Sequence, residues 1–126
     1  MYIGACRMTF SLPGNRSLKG KRQVVRRVCD RIRNKFHAAA AEVGDPEQWS
    51  EAEIAFAVVG NNQVHVRAMA ENIVCYLEDL MVAPLREVEL EVIAFDDVST
   101  GGTSTEVERW RGGSGAAKLG ELDEGD

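Results

Sequence analysis

Aromatic residues make up 6% of this chain, and no apolar run approaches the roughly 20 residues that a helix needs to cross a bilayer. The first ten residues, MYIGACRMTF, lack the basic and apolar regions of a signal peptide, which predicts a cytoplasmic protein. Cysteine is scarce and odd in number: Cys6, Cys29 and Cys75 carry no C-x-x-C spacing, so a disulfide framework is excluded and three buried, reduced thiols are expected. His37 and His65 fall on different predicted elements, with no cysteine or carboxylate spaced for a metal site. The sequence holds no G-x-x-x-x-G-K-S/T, no G-x-S-x-G and no G-x-G-x-x-G, so no nucleotide cradle or nucleophile elbow is predicted. With no nucleophile–base pair in view, the sequence points to a binding protein and not an enzyme, and it implies no cofactor.

What it does have is charge set apart. The stretch from Arg16 to Phe36 holds nine of the fifteen basic residues (Arg16, Lys19, Lys21, Arg22, Arg26, Arg27, Arg31, Arg33 and Lys35) against the single acid Asp30. That is a local charge of +8, so the rest of the chain sums to −13 for a whole of −5. Such asymmetry in one small domain speaks of partners.

The chain order is readable from periodicity. Residues 2–12 alternate, with Tyr2, Gly4, Cys6, Met8, Phe10 and Leu12 on one side, which predicts a half-buried strand ended by Pro13-Gly14-Asn15. Ser17 is placed to cap a helix whose buried stripe is Leu18, Val25, Val28, Cys29, Ile32 and Phe36. A short strand is expected over residues 37–43, then a connector in which Trp49 plugs one end of the core. Glu51 to Val59 alternates again, Gly60-Asn61-Asn62 ends that strand and caps a helix over residues 63–81, and Arg86 to Phe95 forms the last strand. Strand, helix, strand, strand, helix, strand predicts an α+β, ferredoxin-like split β-α-β sandwich: a four-stranded antiparallel sheet with two helices on one face, over residues 1–97.

Beyond Val98 the composition changes. Residues 98–126 hold seven of the twelve glycines and few apolar side chains, a mixture that predicts a disordered acidic tail. Trp110, between Arg109 and Arg111, stands out there as a candidate docking motif.

Several motifs in order carry a resemblance. The Ile3–Ala5 strand start, the L-P-G at 12–14, the S-L-K-x-K-R opening and R-N-K-F close of the first helix, the A-E-V-G at 41–44 with Trp49 after it, and A-E-I-A-F-A-V-V at 52–59 resemble the YlxP-like family of small bacterial proteins. The resemblance spans residues 2 to about 96. It implies a ferredoxin-like fold in a cytoplasmic bacterial protein. Because members are often encoded near translation and ribosome-maturation factors, it also implies a role near RNA or the ribosome. It carries over no catalytic residue.

Two candidate sites follow. At about 100° per residue, Lys19, Arg22, Arg26 and Arg33 fall within about 60° of one another beside the buried stripe, with Arg27 further out. Arg16, Lys19, Lys21, Arg22, Arg26, Arg27 and Arg33 are therefore the expected contacts to ribosomal or other structured RNA, made through phosphates and largely blind to sequence. The rival reading is a solvated face paired with nearby acids. The global charge speaks against a general DNA binder. The open sheet face lacks the aromatic pair that would stack bases. Its small and apolar residues, Ile3, Ala5, Ala55 and Ala57 with Arg7, are instead the expected homodimer interface of a scaffold or small-ligand regulator.

Overall fold

A computed structural model describes residues 1–95 and the strands at 105–111 and 118–119. The elements are β1 (Tyr2–Ser11), α1 (Leu18–Phe36), β2 (Ala39–Glu42), β3 (Glu51–Gly60), α2 (Gln63–Leu80), β4 (Leu85–Ala94), β5 (Thr105–Arg111) and β6 (Lys118–Leu119). All pairings are antiparallel, in the order β2-β3-β1-β4-β5-β6. The first four strands with the two helices form the ferredoxin-like α+β sandwich that the periodicity predicts.

Alternation decides which face is buried. Ala52, Ile54, Phe56 and Val58 of β3, Cys6, Met8 and Phe10 of β1, and Val88, Leu90 and Val92 of β4 meet Val28, Cys29 and Ile32 of α1 and Val66, Ala70, Ile73, Val74 and Leu77 of α2 in one core. Gly4 lets α2 come close: a Cβ there would lie 2.9 Å from Val66 Cγ1 and 3.1 Å from Val58 Cγ2. The Ser17 hydroxyl accepts from Gly20 N at 3.1 Å, and Asn62 Oδ1 accepts from His65 N at 3.0 Å, so both helices start on capping side chains. His37 ends α1 in the left-handed region (φ 56°), which is why β2 begins at Ala39 and not at His37.

Two expectations need correction. Thr105–Arg111 and Lys118–Leu119 are strands, so residues 98–126 are not one unstructured tail. The T-E-V-E-R-W-R segment has little reason to order alone, but the edge of β4 offers it a ladder, with Glu87 opposite Arg111 and Val88 opposite Trp110. Residues 98–104, 112–117 and 120–126 of the expected tail lie outside the described residues. Trp49 does not plug the core either: it is 51% exposed.

Candidate nucleic-acid interface

Helix α1 lies against the β2–β3 side of the sheet and turns its charged side outward. The structure sorts its nine cations into two groups. Arg16, Lys19, Arg22, Arg26 and Arg27 are exposed, with no hydrogen bond or ion pair among the described residues. From Lys19 to Arg26 this row runs roughly 10 Å along the helix axis.

The other four are engaged. Arg31 Nη1 donates to Tyr76 Oη at 3.1 Å, and Lys35 Nζ sits 5.0 Å from the centre of the Tyr76 ring, so both stitch α1 to α2. Arg33 is half-committed: Nη2 donates to Ala40 O at 2.7 Å, and Nη1 lies 3.5 Å from Asp30 Oδ1. The one acid of the helix is thus spent on a residue beside β2, which leaves the N-terminal half of the row unopposed.

Lys21 is the correction. It was expected to contact RNA, but it is 2% exposed; its ammonium donates to Asp45 O at 2.7 Å and pairs with Glu42 Oε2 at 2.9 Å. A buried ammonium must be satisfied internally, and these two acceptors do it. Lys21 therefore holds the β2–β3 connector and offers nothing to a ligand.

That connector is fixed at both ends against the start of α1. The Asn15 carboxamide donates from one nitrogen to Ser17 O and to Trp49 O, each at 2.9 Å, and Leu12 N donates to Ser50 O at 2.9 Å. Gly20 leaves room for this clamp, since a Cβ there would fall 2.2 Å from Asn15 Oδ1.

The sheet face away from the helices gathers all five residues expected there. The rows Ala39–Ala57–Ala5–Glu91 and Ala41–Ala55–Arg7–Glu89 follow from the registers, and Ile3 lies one row on between Val59 and Ile93. The alanines floor an open groove of about 700 Å³, with Arg7, Val43, Glu89 and Glu91 along it. Arg7 Nε donates to Glu89 Oε1 at 3.1 Å, and that bond holds the guanidinium still more firmly charged. Among the described residues, the paired rows of β1, β2, β3 and β4 on this face carry no aromatic residue.

Among the described residues, no group of three His, Cys, Asp or Glu side chains could hold a metal ion. Cys6 and Cys29 are buried, and burial pushes both thiols up, away from a reactive thiolate. Cys75 is exposed, against the expectation of three buried thiols. Among the described residues, no helix is long and apolar enough to cross a membrane.

Comparison with known proteins identifies a family and leaves its chemistry open. The family model described as "Protein of unknown function (DUF503)" matches residues 3–90. A stretch of 62 residues is 27% identical to "Uncharacterized protein YlxP" of Bacillus subtilis (strain 168), covering 49% of this chain and 67% of that protein.

Proposed function

We propose, for a chain that belongs to the DUF503 family of proteins of unknown function, a non-enzymatic role: α1 contacts structured RNA, on the ribosome or a precursor of it, through phosphates. The observation that carries this reading is the row of five exposed cations, Arg16, Lys19, Arg22, Arg26 and Arg27, with no partner among the described residues. A helix face kept only for solubility usually mixes signs and pairs them locally at (i, i+3) and (i, i+4). Here that happens once, between Asp30 and Arg33. Each phosphate neutralised releases counterions, so affinity falls with salt at a slope of roughly 0.7 to 0.9 per contact.

The test is sedimentation of the protein with ribosomal subunits from its own cell extract, at low and high salt. Salt-sensitive co-migration with one subunit is expected, and Lys19→Glu/Arg22→Glu/Arg26→Glu should abolish it with the unfolding transition unchanged. Arg33 is left out of this variant because its bond to Ala40 O serves the fold. Co-migration that survives the reversal removes the row from the account.

A second reading rests on the alanine-floored groove. In it the chain is a homo-oligomeric scaffold or small-ligand regulator, pairing with a second copy through Ile3, Ala5, Arg7, Ala55 and Ala57.

A further inference from the structure

Trp49 is out of place as a core residue and well placed as something else. Its side chain is half exposed, yet its backbone is among the better-anchored parts of the connector. Asp45, at one end, is held by the Lys21 ammonium at 2.7 Å. The peptide of Trp49 is held by Asn15, and Ser50 beside it by Leu12 N. Because the same Asn15 nitrogen bonds Ser17 O, the Trp49 and Ser17 carbonyl oxygens are each 2.9 Å from one atom, and Asn15 and Ser17 flank Arg16 in the chain. The indole thus stands on a pinned loop at the N-terminal end of the helix, where Arg16, Lys19 and Arg22 have no partner among the described residues.

We infer that Trp49 is a base-stacking site for an unpaired nucleotide of the RNA, with Arg16, Lys19 and Arg22 taking the flanking phosphates. This rests on the reading of α1 as an RNA contact and adds the class of RNA: a strand with at least one splayed base beside the helix. Single-stranded nucleic acid is held by this pairing of cations for the backbone with an aromatic face for the bases. A base in a duplex is already stacked and cannot use the indole. Glu47, exposed on the same connector, repels phosphate and leaves the helix cations as the phosphate side of the site. Asn15 is a positioning residue, acting through Trp49 without touching the ligand. Gly20 serves it in turn, by leaving space for its carboxamide.

The test uses the full chain in a Trp110→Phe background, so that Trp49 is its one indole. The probes are a short single-stranded oligouridine and a blunt RNA duplex of the same length. Oligouridine should quench the indole emission and bind, and Trp49→Ala should weaken that binding by roughly five- to a hundredfold while leaving duplex binding unchanged. Asn15→Ala should lower the single-strand over duplex preference in the same direction, with Trp49 still present. Equal single-strand binding by the wild type and Trp49→Ala, with both still lost on Lys19→Glu/Arg22→Glu/Arg26→Glu, would overturn the stacking site and leave the helix contact standing. Binding of neither probe by the wild type would overturn both. Loss of duplex and single-strand binding together in Trp49→Ala would make Trp49 a structural residue and also end the proposal.

Discussion

Lys21 and Glu42 form a 2.9 Å ion pair in which the lysine is 2% exposed, inside a helix whose other cations mostly face water. The pair ties α1 to β2, and the bond from Lys21 to Asp45 O extends the tie into the connector. Lys21→Met should therefore lower stability by roughly 2–4 kcal/mol, since it strands a half-buried carboxylate and a carbonyl. Arg22→Met, one residue on, should change it by less than about 0.5 kcal/mol. Urea unfolding of the two variants measures the difference, and equal midpoints would refute the buried role of Lys21.

The contact between β1 and α2 is set by Gly4. An added Cβ would meet Val66 Cγ1 at 2.9 Å in a core where Val66 is fully buried. Gly4→Ala should cost roughly 1–3 kcal/mol through overpacking. Removing the methyls it strikes gives the cleaner readout: Gly4→Ala with Val66→Ala should be less destabilised than the sum of the two single changes. Additive losses would mean that the helix simply shifts away.

The thiols supply a prediction about alkaline pH. Burial raises Cys6 and, less completely, Cys29, so the native state keeps them protonated when the unfolded chain would not. A group whose folded value is raised contributes fully below its unfolded value, and the contribution is lost as pH climbs toward the folded one. The urea midpoint should thus fall as pH passes about 9, the ordinary value of these thiols, and Cys6→Ala should flatten that fall. A neutral-pH thiol reagent should meanwhile modify Cys75 first, with Cys6 and Cys29 reacting only after denaturation.

The fold was readable because its signals are local. Ile54, Phe56 and Val58 alternate with residues of the open face, and Ser17 and Asn62 are capping residues in front of helical stripes, so four strands and two helices follow from spacing alone. The site was less so, for two different reasons. Lys21 carried a usable signal: four residues before Val25 and seven before Val28, it sits on the apolar stripe, where a lysine must find internal acceptors. Charge type concealed what position revealed. Trp49 and β5 carried none. The connector has no period to read, and what exposes its indole is a set of bonds to Asn15, Leu12 and Lys21, all distant in sequence. Strand β5 orders against an edge that only the folded β4 supplies, and composition cannot count that ladder.

The open sheet face makes the last prediction. Small residues on three neighbouring strands, Ala39 and Ala41, Ala5, and Ala55 and Ala57, let a second backbone layer approach, while Arg7 and Glu89 satisfy each other within one chain. A facing copy could then bury the floor without stranding that pair, which removes the main electrostatic cost of association. Glu53 and Glu91 lie on the same face, and the repulsion of these carboxylates across an interface would weaken with salt. Self-association through this face should therefore strengthen as salt rises, opposite to RNA contact through α1. Sedimentation velocity across a salt series separates the two. Ala57→Arg, which stands a long cation on the groove floor, should yield a monomer with an unchanged unfolding midpoint. A wild type that stays monomeric at every salt and concentration would remove the face as a self-interface, and α1 would be left as the surface to pursue.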